Sequence, residues 1–159
     1  MLQVEDLTLL ESRAVARYVA EKYKKQGASL YGSTIVERAL INQWIELEGK
    51  NYAPAGHLIL YQLVIGPMRG VPTDVALVEE SLVKFEKVLD MYEEQMGKTP
   101  YLSGYSFSLA DMTHLPLTHY LMNLAKLSPA FDSKKNFMAW WERISARPAW
   151  KKVSAMFAS

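Results

Sequence analysis

The residues of this chain best placed for chemistry are Glu11 and Ser12, which open a helical run ten residues in from the amino terminus. In the stretch Glu11-Ser12-Arg13-Ala14-Val15-Ala16-Arg17-Tyr18, Val15, Tyr18 and Val19 fall at i, i+3 and i+4, while Arg13, Arg17 and Glu21 take the other side. That spacing predicts an amphipathic helix. The first turn of a helix has backbone N–H groups without partners and the positive end of the macrodipole, so it can dock a carboxylate. The Ser12 hydroxyl adds a donor, and the Glu11 carboxylate can hold an ammonium group. Together they suit the zwitterionic end of an amino acid or peptide. The plainer reading is that Ser12 only caps the helix, since Thr8 and Glu11 also stand at capping-box spacing.

Other constellations are poorer in chemistry. Ser108, Asp111 and His114 could be taken for a hydrolytic set, but i, i+3, i+6 on one helix offers no oxyanion hole. Ser108 and Asp111 read instead as a capping box, with Phe107 and Met112 as its hydrophobic staple. The histidines His57, His114 and His119 lack metal-ligand spacing, so no metal site is expected. No glycine-rich phosphate loop, internal repeat or low-complexity tract is visible.

Composition narrows the function classes. The 159 residues carry 18 basic and 17 acidic side chains, interspersed, for a formal charge of +1. No electrostatic footprint for nucleic acid or an anionic membrane is present. Cysteine is absent, which removes disulfides and thiolate catalysis and fits the cytoplasm. No signal peptide or membrane-spanning run is read, so a soluble protein is expected.

Nearly all of the chain reads as helix. Leu7-Thr8-Leu9-Leu10 is a short strand candidate with no partner evident. Residues 33–49 predict a helix from Leu40, Ile41, Trp44, Ile45 and Leu47, with Ser33 as cap and Gly49 and Pro54 as interruptions. Residues 57–65 are apolar on almost every side, predicting a buried helix that ends at Gly66-Pro67. Val75, Val78, Leu82, Phe85, Leu89, Tyr92 and Met96 alternate spacings of three and four over 73–96, with Thr73 and Asp74 as the start signal. Pro116 should bend the helix after Ser108, and Ser128-Pro129 should end its continuation. Phe137, Trp140, Trp141 and Ile144, then Trp150, Val153 and Phe157 beyond a break at Arg147-Pro148, form aromatic and apolar stripes that read as core. The fold class is all-α.

In order and spacing, these segments resemble the glutathione transferases, most closely the plant phi class. The resemblance is carried by residues 7–18, by Val88-Leu89-Asp90-Met91-Tyr92-Glu93, Tyr101-Leu102-Ser103-Gly104, Ser108-Leu109-Ala110-Asp111 and His114-Leu115-Pro116, and by residues 140–150. It implies a remnant of a thioredoxin-like domain, its last strand and helix, in residues 1–25, and the family's C-terminal helical bundle in residues 30–159. It also implies that Glu11 and Ser12 hold the γ-glutamyl end of glutathione, which is a co-substrate rather than a cofactor. Part of a second pocket for hydrophobic electrophiles would come from residues 57–68. Tyr61, Ile65 and Met68, at i, i+4 and i+7, are the candidates, and the same spacing also fits core. A homodimer paired across the first long helix of the bundle is implied as well.

Departures from the family pattern set a further expectation. The early serine that supports the glutathione thiolate and the cis-proline loop that pairs with the cysteinyl backbone are not in this sequence. A thiol at neutral pH needs such a donor to favour its anion. The sequence therefore reads as a truncated form with little or no conjugating activity. The alternatives are a non-catalytic carrier of apolar ligands and a dimerisation or interaction module.

Overall fold

In the computed structural model, which describes residues 1–156, Leu2–Val4 (β1) and Leu7–Leu9 (β2) pair antiparallel, with Leu2 opposite Leu9 and Val4 opposite Leu7. The expected lone strand is thus one arm of a hairpin. Sequence reasoning missed the first arm because three residues give too little alternation to register. Glu5 takes a φ of 53° in the two-residue turn, a backbone that such tight hairpins require. Phe157 lies outside the described residues.

Helix α1 spans Ser12–Lys22 and has no fully buried residue. Its inner face is also not the predicted one. Ala16 and Ala20 pack against the core, while Arg13 and Arg17 reach across to the next helix. Val15, Tyr18 and Val19 are not part of that packing.

The bundle begins with α2 (Ile35–Leu47). Its cap is Thr34 rather than Ser33: Thr34 Oγ1 accepts from Glu37 N–H at 3.1 Å and Glu37 reaches back to the Thr34 N–H at 2.9 Å. Gly49 and Pro54 do not interrupt this helix. A π-helical turn at Glu48–Tyr52 leads into α3 (Ala53–Leu60), and a second at Tyr61–Ile65 leads into α4 (Gly66–Met68). Each wide turn closes on the residue just before a proline: Ala53 N–H bonds to Glu48 O before Pro54, and Gly66 N–H bonds to Tyr61 O before Pro67. Proline has no N–H to donate and its ring crowds the carbonyl one turn back. The extra residue in each π turn takes up that mismatch, so the chain stays helical where a break was expected.

Helix α5 (Val75–Met96) is capped by Asp74, which accepts from Leu77 N–H at 3.0 Å. It buries Val78, Phe85, Leu89, Tyr92 and Met96, as its spacing predicts, although Val75 at the end is exposed. The chain continues through α6 (Leu109–Met112), α7 (Leu115–Asn123), α8 (Ser128–Asp132), α9 (Lys135–Ser145) and α10 (Pro148–Ala155). Pro116, Pro129 and Pro148 each sit in the first turn of a helix, where the missing N–H costs nothing. Pro116 and Pro129 therefore start helices rather than bending or ending one.

Helices α3 and α9 pack on α5, and α7 packs on α3. Phe85, Phe131, Phe137 and Trp140 pack ring against ring in the core between them. Among the described residues no helix is long and apolar enough to cross a membrane.

Candidate functional site

Glu11 is the N-cap residue of α1, and Ser12 is its first helical residue. No side chain caps this helix, and Thr8 lies within β2 instead of forming a box with Glu11. The cap reading of Ser12 is not what this fold uses. The first-turn N–H groups are thus left to an outside acceptor, with the Ser12 hydroxyl beside them. Glu11 holds φ 65° and ψ 116°, a backbone that costs a non-glycine residue about 1–3 kcal/mol and persists only where its surroundings enforce it. Its carbonyl accepts from Val15 N–H at 3.0 Å, so the turn is anchored and the carboxylate faces solvent.

One position further on, Arg13 ties this turn to the bundle. Its Nε donates to Glu48 Oε2 at 2.6 Å and its second nitrogen lies 2.6 Å from the same oxygen. Glu48 is only 3% exposed and begins the first π turn. The hydrogen bond to Glu48 raises the Arg13 pKa above its ordinary value, against an opposing effect of burial. Gly49 makes the approach possible, because a Cβ there would meet Arg13 Nε at 3.2 Å. Arg17 extends the attachment, with Nε donating to Asn42 Oδ1 at 2.8 Å and its terminal nitrogen to Glu46 at 3.2 Å.

Ser12, Arg13 and Ala16 form one wall of a cavity of about 440 Å³. Leu30 and Glu48 continue that wall. Phe107, Met112, Thr113, Leu115 and Pro116 supply the facing side, and Arg147, Ala149, Trp150 and Val153 close the end. The lining is largely apolar. Thr113 Oγ1 donates to Ala110 O at 3.1 Å, whereas the Ser12 hydroxyl and the Arg147 guanidinium border this space without a hydrogen-bond partner among the described residues.

The capping box beneath the cavity is closed. Ser108 Oγ accepts from Ala110 N–H at 3.2 Å, and Asp111 Oδ2 accepts from Ser108 N–H at 2.9 Å. Asp111 Oδ1 also accepts from Leu102 N–H at 3.0 Å and from Trp140 Nε1–H at 2.8 Å. Burial pushes the Asp111 carboxyl up, against these donors. His114 takes no part in a hydrolytic set. Its Nδ1 lies 2.7 Å from Ala110 O and its Nε2 lies 2.8 Å from the Tyr92 hydroxyl. A carbonyl only accepts, so Nδ1 carries the proton and Nε2 accepts from Tyr92.

The sequence candidates are therefore only partly brought together. Glu11 and Ser12 are adjacent at the helix start, and Ser12 lines the cavity. Tyr61, Ile65 and Met68 lie at the far end of the α2–α4 rod, do not line that cavity, and include Met68 at 82% exposure. Arg13, Glu48 and Arg147 were not foreseen as site residues. Arg13 stands in the opening motif on the side of the helix opposite Val15, Tyr18 and Val19, and Glu48 is hidden by the apparent end of its helix at Gly49.

Comparison with known proteins agrees with this geometry. A family model described as the glutathione S-transferase C-terminal domain matches residues 54–148. Glutathione S-transferase F11 of Arabidopsis thaliana is 46% identical over 157 residues, covering 98% of this chain and 73% of that protein. A probable glutathione S-transferase of Oryza sativa subsp. japonica is 42% identical over 96% of this chain and 70% of its own length. Among solved structures, glutathione transferase F2 of Populus trichocarpa superposes with a TM-score of 0.93 at 41% identity, over 97% of this chain and 72% of that one. Glutathione S-transferase I from maize, in complex with an atrazine glutathione conjugate, gives 0.85 at 35% identity, over 96% and 70%. The α1 start, the α6 capping box and these matches along almost the whole chain place the protein in the glutathione S-transferase family, in its plant phi class.

Proposed function

We propose that this chain carries the γ-glutamyl-binding turn and the helical domain of a glutathione transferase that acts on hydrophobic electrophiles. In that reaction the thiol gives up its proton, the thiolate forms a bond to an electrophilic carbon, and either a leaving group departs or the adduct takes up a proton. The Glu11 carboxylate accepts from the glutamyl ammonium, and the Ser12 hydroxyl with the first-turn N–H groups donates to the glutamyl carboxylate. The observation that carries this reading is the uncapped start of α1, held in a strained backbone and bolted to the bundle through Arg13 and Glu48. The maize relative's complex with an atrazine glutathione conjugate supports the substrate class.

By itself the 159-residue polypeptide has little or no conjugating activity. The Ser12 hydroxyl is committed to the glutamyl carboxylate and the Arg147 guanidinium is stacked on the Phe107 ring, so neither is assigned to favour the thiolate. Tyr61, Ile65 and Met68 are proposed as the electrophile-facing residues. The proposed assembly is a homodimer in the cytoplasm, joined through the start of α2, where Ile35 and Val36 are exposed.

Calorimetric titration of the purified chain with glutathione tests the binding assignment. A saturable heat is expected that Glu11→Ala and Ser12→Ala each weaken by about tenfold, the loss of one charge-assisted hydrogen bond. Equal heats from all three proteins would remove the assignment. Turnover of glutathione and an aryl halide at a normal family rate would remove the claim of low activity.

A further inference from the structure

We propose that Ser29 is a phosphorylation site whose phosphate is received by Lys24 and Arg38, in the polar crevice between the end of α1 and the start of α2. Ser29 stands exposed in the irregular strap of residues 23–34, where another enzyme can take up the backbone. Its hydroxyl has no hydrogen-bond partner among the described residues. Lys24 and Lys25 precede it by five and four positions, a basic context that suits a lysine-directed kinase.

The crevice, of about 280 Å³, is bordered by Ser29 together with Glu21, Lys24, Tyr31 and Arg38. Two cations there share one carboxylate: Lys24 Nζ donates to Glu21 Oε1, and Arg38 lies 3.6 Å from Glu21 Oε2. The hydrogen bond from Lys24 holds the Glu21 carboxyl below its ordinary pKa. Arg38 is held in place, with Nε donating to Gly32 O at 3.2 Å and its guanidinium 5.7 Å from the centre of the Tyr31 ring. Its terminal nitrogens are the ones that meet an anion. Ser33 borders the same crevice, but Glu37 Oε2 accepts from the Ser33 and Thr34 N–H groups at 2.6 and 2.9 Å, so a phosphate on Ser33 would face a carboxylate. Ser29 is therefore the site.

A nucleoside triphosphate supplies the group. The Ser29 oxygen bonds to the γ-phosphorus, the bond from that phosphorus to the bridging oxygen breaks, the nucleoside diphosphate departs, and the hydroxyl proton goes to the kinase's base. The phosphate brings close to two negative charges and three acceptor oxygens. It displaces the single charge of Glu21, which turns to solvent, and links Lys24 beyond α1 to Arg38 in α2. The strap is thereby clamped where α1 joins the bundle. Ile35 and Val36, the proposed dimer contacts, do not border the crevice.

Incubation of the full chain with magnesium ATP and the catalytic domain of protein kinase C, followed by mass spectrometry, tests the site. Ser29 should carry the phosphate, and Ser29→Ala should carry none in the strap. Phosphorus NMR of the modified chain should then give a phosphoserine pKa about one unit below its ordinary value of about 6, because two cations favour the dianion. Arg38→Gln should return most of that shift and Arg38→Lys should keep most of it. Lys24→Gln gives the same reading should Arg38→Gln unfold. Trypsin cleavage after Lys24 and Lys25 should slow about tenfold in the modified chain, and much less in a synthetic peptide of residues 20–33 bearing the same phosphoserine. Phosphate found only on other residues, a pKa that stays at its ordinary value, or equal slowing in chain and peptide would each overturn the proposal. Glutathione takes no part in these readouts, so they stand apart from the assignment of Glu11 and Ser12.

Discussion

Burial holds His114 neutral. The rings of Tyr52, Tyr92 and Trp140 surround it, and burial brings its pKa down from 6.5 to about 3, opposed by the hydrogen bond that Nδ1–H donates to the Ala110 carbonyl and helped by the positive charge of Arg13. The consequence for stability has a definite sign. Below pH 6.5 the unfolded chain binds a proton on this imidazole, while the folded chain does not until about pH 3. The stability that His114 supplies is therefore complete above pH 6.5 and fades as pH falls, by about 1.4 kcal/mol per pH unit at most. Asp111 contributes with the opposite sign, because a carboxyl pushed up is protonated first in the folded state, and this contribution is common to any pair of variants that keep it. Urea unfolding from pH 7 to pH 4.5 should show His114→Gln losing stability less steeply than the parent, by about 1 kcal/mol per unit. Parallel slopes would show that the histidine is not buried in its neutral form.

At the scale of elements, the first of the two π turns holds the residue that ties α1 to the bundle. The first turn places Glu48 against Arg13, and Gly49 leaves the clearance for it. Gly49→Ala tests this arrangement against intrinsic helix propensity, which would favour alanine by about 1 kcal/mol. The added methyl should press on the guanidinium, loosen α1 and raise amide exchange at residues 15–19 by about threefold to tenfold, with α5 unchanged. Unaltered exchange in α1 would show that the clearance has no role. The same element shows what the sequence could and could not reveal. The α5 seam and the Ser108–Asp111 box rest on residues three or four apart, and such local rules survive folding. Pro54 and Pro67 misled because the breaker rule holds for an α-helix of fixed width, whereas a wider turn admits proline without ending the helix. The Arg13–Glu48 contact joins residues 35 apart, and the cavity is walled by five separate stretches of chain. Periodicity carries no information on either. Glu11 and Ser12 were legible because a helix start announces its own unsatisfied donors.

For the molecule as a whole, cohesion is unequally distributed. The bundle from α2 to α10 shares one core in which Ile45, Tyr52, Phe85, Tyr92 and Trp140 are almost completely buried. The hairpin and α1 bury no residue fully, and Leu10, Val19 and Tyr23 are exposed. Their attachment consists of arginine contacts, which are worth little where solvent reaches them, and the packing of Ala16 and Ala20. Residues 23–34 connect the two parts without regular structure, and Lys24 and Lys25 stand exposed within them. Brief trypsin treatment should therefore cut first after Lys24 or Lys25, before any site in α5 or α9. When α1 leaves, Glu48 loses Arg13 but gains water, so the fragment from residue 26 onward should be weaker by only about 1–2 kcal/mol and still melt cooperatively. Circular dichroism of the isolated fragment should retain the bundle's helical signal, and glutathione binding should vanish with the first 25 residues. A fragment that loses helicity throughout once nicked would show instead that the hairpin and α1 are integral to the core.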